Sequence, residues 1–227
     1  MTPEMMTLLF TGLGLGLLHA LDADHVMAVS ALSNRQPGLR RTLKFSANWA
    51  VGHGGVLLIL GMLLFGLGIA LPEPVQRVAE SSVGVLLIIL GMVCFWQFRK
   101  EKLSITTHSH GTLRHTHIRV DGHEQTPQHQ FQEAHTPVMV GVLHGLAGSA
   151  PALALIPAMI QAETSTALAY LLLFSAGVLV SMVTFGLIFG HVQKQLQQKS
   201  IRLFMICRQI IAGAAIAIGG FWLYQAT

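Results

Sequence analysis

Charge is what this sequence has least of. Only 11% of its 227 residues are Asp, Glu, Lys or Arg, against about 25% in a soluble domain, while 52% are hydrophobic. That balance excludes an ordinary soluble globular chain. Cysteine is nearly absent as well. Cys94 and Cys207 form no CxxC and have no clustered partners, so they read as small, buried, reduced thiols. No Lys or Arg precedes the first apolar run in MTPEMMTLLF, and no clear small-residue cleavage site follows it. A cleaved signal peptide is therefore not expected, and the first helix stays. No nucleotide-binding P-loop is present, which excludes the simplest ATP-driven chemistry.

What is there is a set of long apolar runs. Residues 45–71, 81–98, 137–160, 167–190 and 203–224 are each long enough to cross a bilayer, which takes about 17–25 residues. Residues 5–32 make a sixth run once an acidic pair inside it is tolerated. The fold class is all-α, a polytopic membrane protein with six transmembrane helices. The net charge of +4 is not a nucleic-acid signal, because thirteen of the fourteen basic residues fall on one side of this topology and only Arg77 on the other. Lys and Arg are retained in the cytoplasm. The three basic loops are thus expected inside and both termini outside, in a multi-pass protein of the bacterial plasma (inner) membrane.

A faint internal repeat divides the chain. GLLHALDADHV from Gly16 aligns with GVLHGLAGSAP from Gly141, and the same offset sets Gly52 over Gly177 and Gly61 over Gly186. The third and sixth helices each carry a G-x6-G spacing, Gly84/Gly91 and Gly213/Gly220. Three helices per half make the second half enter from the opposite side, the inverted-topology plan of many secondary transporters. The expected units are residues 1–98 as the first three-helix repeat, 99–136 as a cytoplasmic His-rich loop and 137–227 as the second repeat. Gly145, Gly148, Pro151 and Pro157 are expected to break the helix just past His144.

Six polar side chains lie deep in these spans: His19, Asp22, Asp24, His25, His53 and His144. Each carboxylate near a bilayer centre costs about 2.5–3.5 kcal/mol on insertion scales. No Lys or Arg lies within the first five spans to neutralise the acids, so a cation is their natural partner. At 3.6 residues per turn, His19, Asp22 and His25 fall within an arc of about 120°, while Asp24 lies about 140° from His19. A straight helix cannot aim all four at one ion. Either the helix unwinds around LDAD, or Asp24 orients another ligand. Imidazole and carboxylate without thiolate suit nickel, cobalt, zinc or iron.

At HALDADHV the sequence resembles the H-x4-D-H signature of the nickel/cobalt transporter family, carried here by His19, Asp24 and His25, with Asp22 at the family's first acidic position. VGHGG around His53 resembles that family's second-helix Gly-His motif, with Gly54 where Ser is usual. HGLAGSAP around His144 is closer to UreH-type membrane proteins and to Rcn-type nickel/cobalt efflux proteins. The resemblance departs from the eight-helix permeases, which carry the motif on their second helix. It implies a secondary transporter for nickel or cobalt, not an enzyme, with the ion as cargo and no prosthetic group; without a P-loop, a proton or ion gradient is the simplest energy source. Protons compete with metal for such ligands, which links transport to pH. The implied partners are a divalent metal ion, membrane lipid and nickel-enzyme maturation proteins, with no nucleic acid.

The connection after the third span holds seven of the twelve histidines: His108, His110, His115, His117, His123, His129 and His135. It is expected to be unpatterned and disordered without metal, with the two H-x-H pairs, His108/His110 and His115/His117, capturing metal weakly. A second reading makes the membrane part an anchor that presents this loop to a urease or hydrogenase maturation partner. A third, a disulfide-electron relay with a cysteine on each of helices one and four, meets His19 and His144 at the matching positions.

Overall fold

The computed structural model describes residues 3–35, 38–69, 72–100, 103–110, 113–120, 127–147 and 163–225. Among the described residues the order is α1 (Pro3–His19), α2 (Ala23–Arg35), α3 (Leu39–Leu67), α4 (Glu73–Lys100), β1 (Leu103–His110), β2 (Leu113–Val120), α5 (Pro127–Leu146), α6 (Thr164–Lys199) and α7 (Ile201–Gln225). Helices α3, α4, α6 and α7 are each long and apolar enough to cross a membrane, and α1 with α2 form a fifth candidate span as a bent pair. The chain is an all-α membrane protein with one small hairpin outside the helices. The helices outrun their apolar windows because Leu, Arg, Lys and Gln continue a helix well. That is visible in LRRTLK at the start of α3 and HVQKQLQQK at the end of α6.

Three expectations change. The first span, residues 5–32, is two helices meeting at a 54° bend. The fourth expected span, residues 137–160, is not among the candidate spans of the described residues: α5 runs from Pro127 to Leu146 with Pro137 inside it and covers only the start of that run. The break past His144 is present in that α5 ends at Leu146, while Gly148, Pro151 and Pro157 lie outside the described residues. The connection expected to be unpatterned holds the antiparallel pair β1–β2. The reason is readable in LSITTHSH and LRHTHIRV, where β-branched residues recur on both strands and favour a pleated pair over coil.

The core lies between α3 and α6, where Trp49, Leu57, Tyr170, Leu171, Phe174 and Met182 are fully buried. Helix α3 packs on both α6 and α5, α1 packs on α6, and α4 packs on α7. Large apolar residues such as Phe10, Val51, Ile59, Ile188 and Ile210 are exposed, as a lipid-facing surface requires. Two crossings bring backbones into contact, which small residues permit. A Cβ on Gly16 would collide with the Phe174 carbonyl and one on Gly177 with the Leu13 carbonyl. Likewise a Cβ on Gly141 would collide with the Trp49 carbonyl and one on Gly52 with the Val138 carbonyl. Helix α3 ends where Gly68 takes φ 68. The Gly68 and Ile69 N–H groups donate back to Leu64 and Leu63 at 3.0 Å, a left-handed cap that glycine adopts without strain.

A buried clasp joins α2 to α7. Arg208 is 4% exposed, and its Nη2 donates to the Asn34 carbonyl at 2.9 Å while Asn34 Nδ2 donates to the Arg208 carbonyl at 3.1 Å. The guanidinium sits 4.1 Å from the Phe98 ring centre and 5.5 Å from that of Phe204. A cation so placed is satisfied by carbonyl and π-face together. Cys94 is buried on α4 and donates to the Ala31 carbonyl at 3.4 Å. Neither cysteine is in a disulfide, and Cys207 is half-buried where a buried thiol was expected.

Candidate metal centre

The bend in the first span builds the site. Leu21 N–H donates to Leu18 O, and Asp22 N–H to His19 O, both at 3.0 Å. These tight turns replace regular helical bonds as the chain leaves α1. The Asp22 carbonyl then accepts from Val26 N–H at 3.1 Å and starts α2. The unwinding that the angular offset of Asp24 requires is thus located at residues 20–22.

His19 closes α1 and is buried, and its Nδ1 lies 2.8 Å from Asp22 Oδ2. The Asp22 side chain itself is 43% exposed. Across the bend, His25 Nδ1 lies 3.1 Å from the His19 carbonyl. A carbonyl only accepts, so that nitrogen carries the proton and His25 Nε2 keeps its lone pair. Nε2 is 3.8 Å from Asp24 Oδ2. His144 Nδ1 donates in the same way to Val140 O at 2.8 Å, which again leaves Nε2 as the free base. Backbone bonds of this kind fix the tautomer of metal-ligating histidines.

The four rings form one cluster. Ring centres are 4.6 Å apart for His19 and His25, 5.4 Å for His19 and His53, 5.1 Å for His25 and His53, and 5.4 Å for His25 and His144. His53 is fully buried on α3. Among the described residues neither His53 nitrogen has a hydrogen-bond partner, and neither does His19 Nε2 or His144 Nε2. Each unpaired buried polar atom costs about 1–3 kcal/mol. Four of them within one ring cluster are atoms that a bound cation would satisfy, so the donor chemistry fits a divalent transition-metal ion.

Of the six residues singled out in the sequence, three offer atoms to one point: the ligand atoms of His19, Asp22 and His25 lie within 4.8 Å of one another. Ligands at about 2.0–2.2 Å from one ion are at most about 4.4 Å apart, so this trio would close by a few tenths of an ångström. Asp24 stands beside His25, and His53 and His144 pack their rings against it. Of the loop histidines, His108 and His110 lie on β1, His115 and His117 on β2, and His129 and His135 on α5, while His123 lies outside the described residues.

Sequence reading missed Trp49. Its ring stacks on His53 at 4.9 Å with 17° between planes and lies 4.8 Å from His25 and 5.6 Å from His144. It precedes His53 by one helical turn, and only that spacing signals the contact. Phe174, across on α6, lies 5.6 Å from the His19 ring at 32° between planes. Gly54 packs against Ser175, whose Cβ would be 2.9 Å from an added methyl.

The family model described as the cytochrome c biogenesis protein transmembrane region matches residues 8–215. The urease accessory protein UreH of Bacillus sp. (strain TB-90) is 27% identical over 224 residues, covering 98% of this chain and 92% of that protein. No solved structure matches the chain. A bent first span, a buried histidine cluster and two glycine crossings are therefore set in a chain similar to UreH from end to end, and the protein belongs to the family of the cytochrome c biogenesis protein transmembrane region.

Proposed function

We propose that the protein is a secondary transporter that carries a divalent transition-metal ion, nickel or cobalt, across the bacterial cytoplasmic membrane. The observation that carries this is the set of four orphaned imidazole nitrogens beside two carboxylates with no basic residue among them. His19, Asp22 and His25 bind the ion, Asp24 supplies charge beside His25, and His53 and His144 complete or gate the site. The proposed topology keeps both termini outside and relates the halves as inverted repeats. Its support is in the crossings. The alignment that sets Gly16 over Gly141 and Gly52 over Gly177 also sets Leu13 over Val138 and Phe174 over Trp49, so each backbone contact has its counterpart in the other.

Radiometal flux into proteoliposomes tests the reading. His19→Ala and Asp24→Asn are expected to abolish most nickel and cobalt flux, and unaltered flux in both would remove the site assignment. Metal content of cells with and without the protein reads the direction, lower for efflux and higher for uptake.

A second reading is favoured by the name of the UreH relative, a urease accessory protein. Here the chain hands nickel to a maturation partner and moves none across. Deleting residues 105–135 separates the two: delivery lost while the membrane histidines prove dispensable supports the scaffold. The disulfide relay has no such support, since Cys94 is engaged with Ala31 and His19 occupies the site on α1.

A further inference from the structure

We propose that the ion is held with water still on it: His19, Asp22 and His25 grip the metal, while Trp49, His53 and His144 hydrogen-bond to water that the metal keeps. The proposal rests on the reading of this cluster as an ion site and deepens it by naming the cargo as a partly hydrated ion. Its ground is the balance of donors and acceptors. A cation bonds at a lone pair and does nothing for an N–H. Trp49 is fully buried, and its indole Nε1 is a donor only. His53 is fully buried too, and an imidazole carries at least one N–H whether neutral or protonated. Among the described residues neither Trp49 Nε1 nor either His53 nitrogen has a hydrogen-bond partner. The two rings cannot serve each other. They stack at 4.9 Å with 17° between planes, and their polar atoms lie in the ring planes, directed out of the stack. A bare ion would leave two buried donors unanswered, and an ion with water on it answers both.

The distances divide the residues in the same way. The ligand atoms of His19, Asp22 and His25 lie within 4.8 Å of one another, and among the described residues no other His, Cys, Asp or Glu joins such a group. His53 and His144 stay outside it, although their ring centres are 5.1 and 5.4 Å from that of His25. An oxygen about 2.1 Å from an ion, in a hydrogen bond of about 2.8–2.9 Å, puts the nitrogen beyond it about 4 Å or more from the metal. That is the place of a group just behind the ligands. Three protein ligands also leave positions on the ion open for water. His144 complements the donors: its Nδ1 is bound to Val140 O at 2.8 Å, so its Nε2 accepts a proton from water. The Trp49 ring is 5.6 Å from that of His144 and 4.8 Å from that of His25, so donors and acceptor meet in one ring cluster. Buried water typically makes about three hydrogen bonds to groups that otherwise have none. Here Trp49 and one His53 nitrogen donate, while His144 Nε2 and the other His53 nitrogen accept. An ion that keeps part of its water also loses less hydration on entering a buried site.

The test uses the full-length protein in detergent with Co²⁺ alone, read by X-ray absorption and by visible absorption. Wild type is expected to show about six nitrogen or oxygen neighbours, with only the rings of His19 and His25 among them as imidazoles, and the weak visible bands of six-coordinate cobalt. His53→Gln keeps a donor and an acceptor near the place of the ring and ligates metal poorly. Its imidazole count and bands are expected to stay as in wild type, whereas His19→Ala loses an imidazole. Trp49→Phe keeps a stacked ring and removes the N–H. Its Co²⁺ affinity is expected to fall by about 3- to 10-fold, the worth of one hydrogen bond, with the imidazole count unchanged. Three or four imidazoles on cobalt in wild type would overturn the proposal, and so would wild-type affinity in Trp49→Phe. Binding through four imidazoles would leave the transport reading standing and remove this one alone. Cobalt binding that ignores both His19 and His25 would remove both.

Discussion

Gly16→Ala should open the joint on which the site hangs. The added methyl would run into the Phe174 carbonyl and its attached backbone, and no side-chain rotamer can yield there. A carbon–oxygen contact needs about 3.3 Å or more, so α1 and α6 must part by on the order of 1 Å. Overpacking typically costs about 1–3 kcal/mol, and a clash with rigid backbone belongs at the upper end. Against this, replacing a helical glycine by alanine gains roughly 0.5–1 kcal/mol. Gly14, two residues away on the same helix, has no atom within 4 Å of its would-be Cβ and isolates that gain. Thermal unfolding in one detergent should therefore show Gly14→Ala at or slightly above wild type. Gly16→Ala should fall below it by about 2 kcal/mol, or ~4–8 °C in a chain of this size. Gly141→Ala, which meets the Trp49 carbonyl, should match Gly16→Ala. Because His19 is three residues beyond Gly16 and His144 three beyond Gly141, both variants should also weaken cobalt binding. If Gly16→Ala proved as stable as Gly14→Ala, the close crossing would be wrong.

Two more variants probe the core and the site. Arg208→Ala strands the Asn34 carbonyl, at about 1–3 kcal/mol, and removes a desolvated cation–π contact of about 2 kcal/mol. It should lower thermal stability clearly while leaving purified protein able to bind nickel; wild-type stability would show that the clasp contributes nothing. Trp49→Phe should abolish most of the cobalt-induced quenching of intrinsic fluorescence, since Trp49 stacks on His53, while Trp96 is largely exposed and Trp222 lies in the last turn of α7. Undiminished quenching in that variant would place the ion away from this ring.

The helices were legible because an apolar run of sufficient length has few other fates, and the bend was legible because Asp24 is out of phase with His19 and His25 on any straight helix. The cluster itself was legible as chemistry, since acids in an apolar sequence with no Lys or Arg near them need a polar partner, and His19 and His25 stand beside Asp22 and Asp24. Trp49 was not, because an aromatic residue in an apolar span looks like any core residue until the chain is folded. The Asn34–Arg208 clasp was hidden for a related reason: its halves are 174 residues apart in the chain, and neither carries a local pattern. The hairpin was within reach. Its alternating β-branched residues are a strand signal, but the many polar side chains read as solvated loop.

The bend between α1 and α2 also divides one peptide dipole into two. The C-terminal end of α1 carries roughly half a negative charge and the N-terminal end of α2 roughly half a positive one, and the two ends meet at the histidines. Asp24 lies in the first turn of α2, where its carboxylate answers that positive end before any ion arrives. The field offered to a cation is therefore weaker than two formal negative charges, and the carbonyl end of α1 supplies part of it. A site balanced in this way can hold a doubly charged ion and still release it, which a transporter needs as much as it needs affinity.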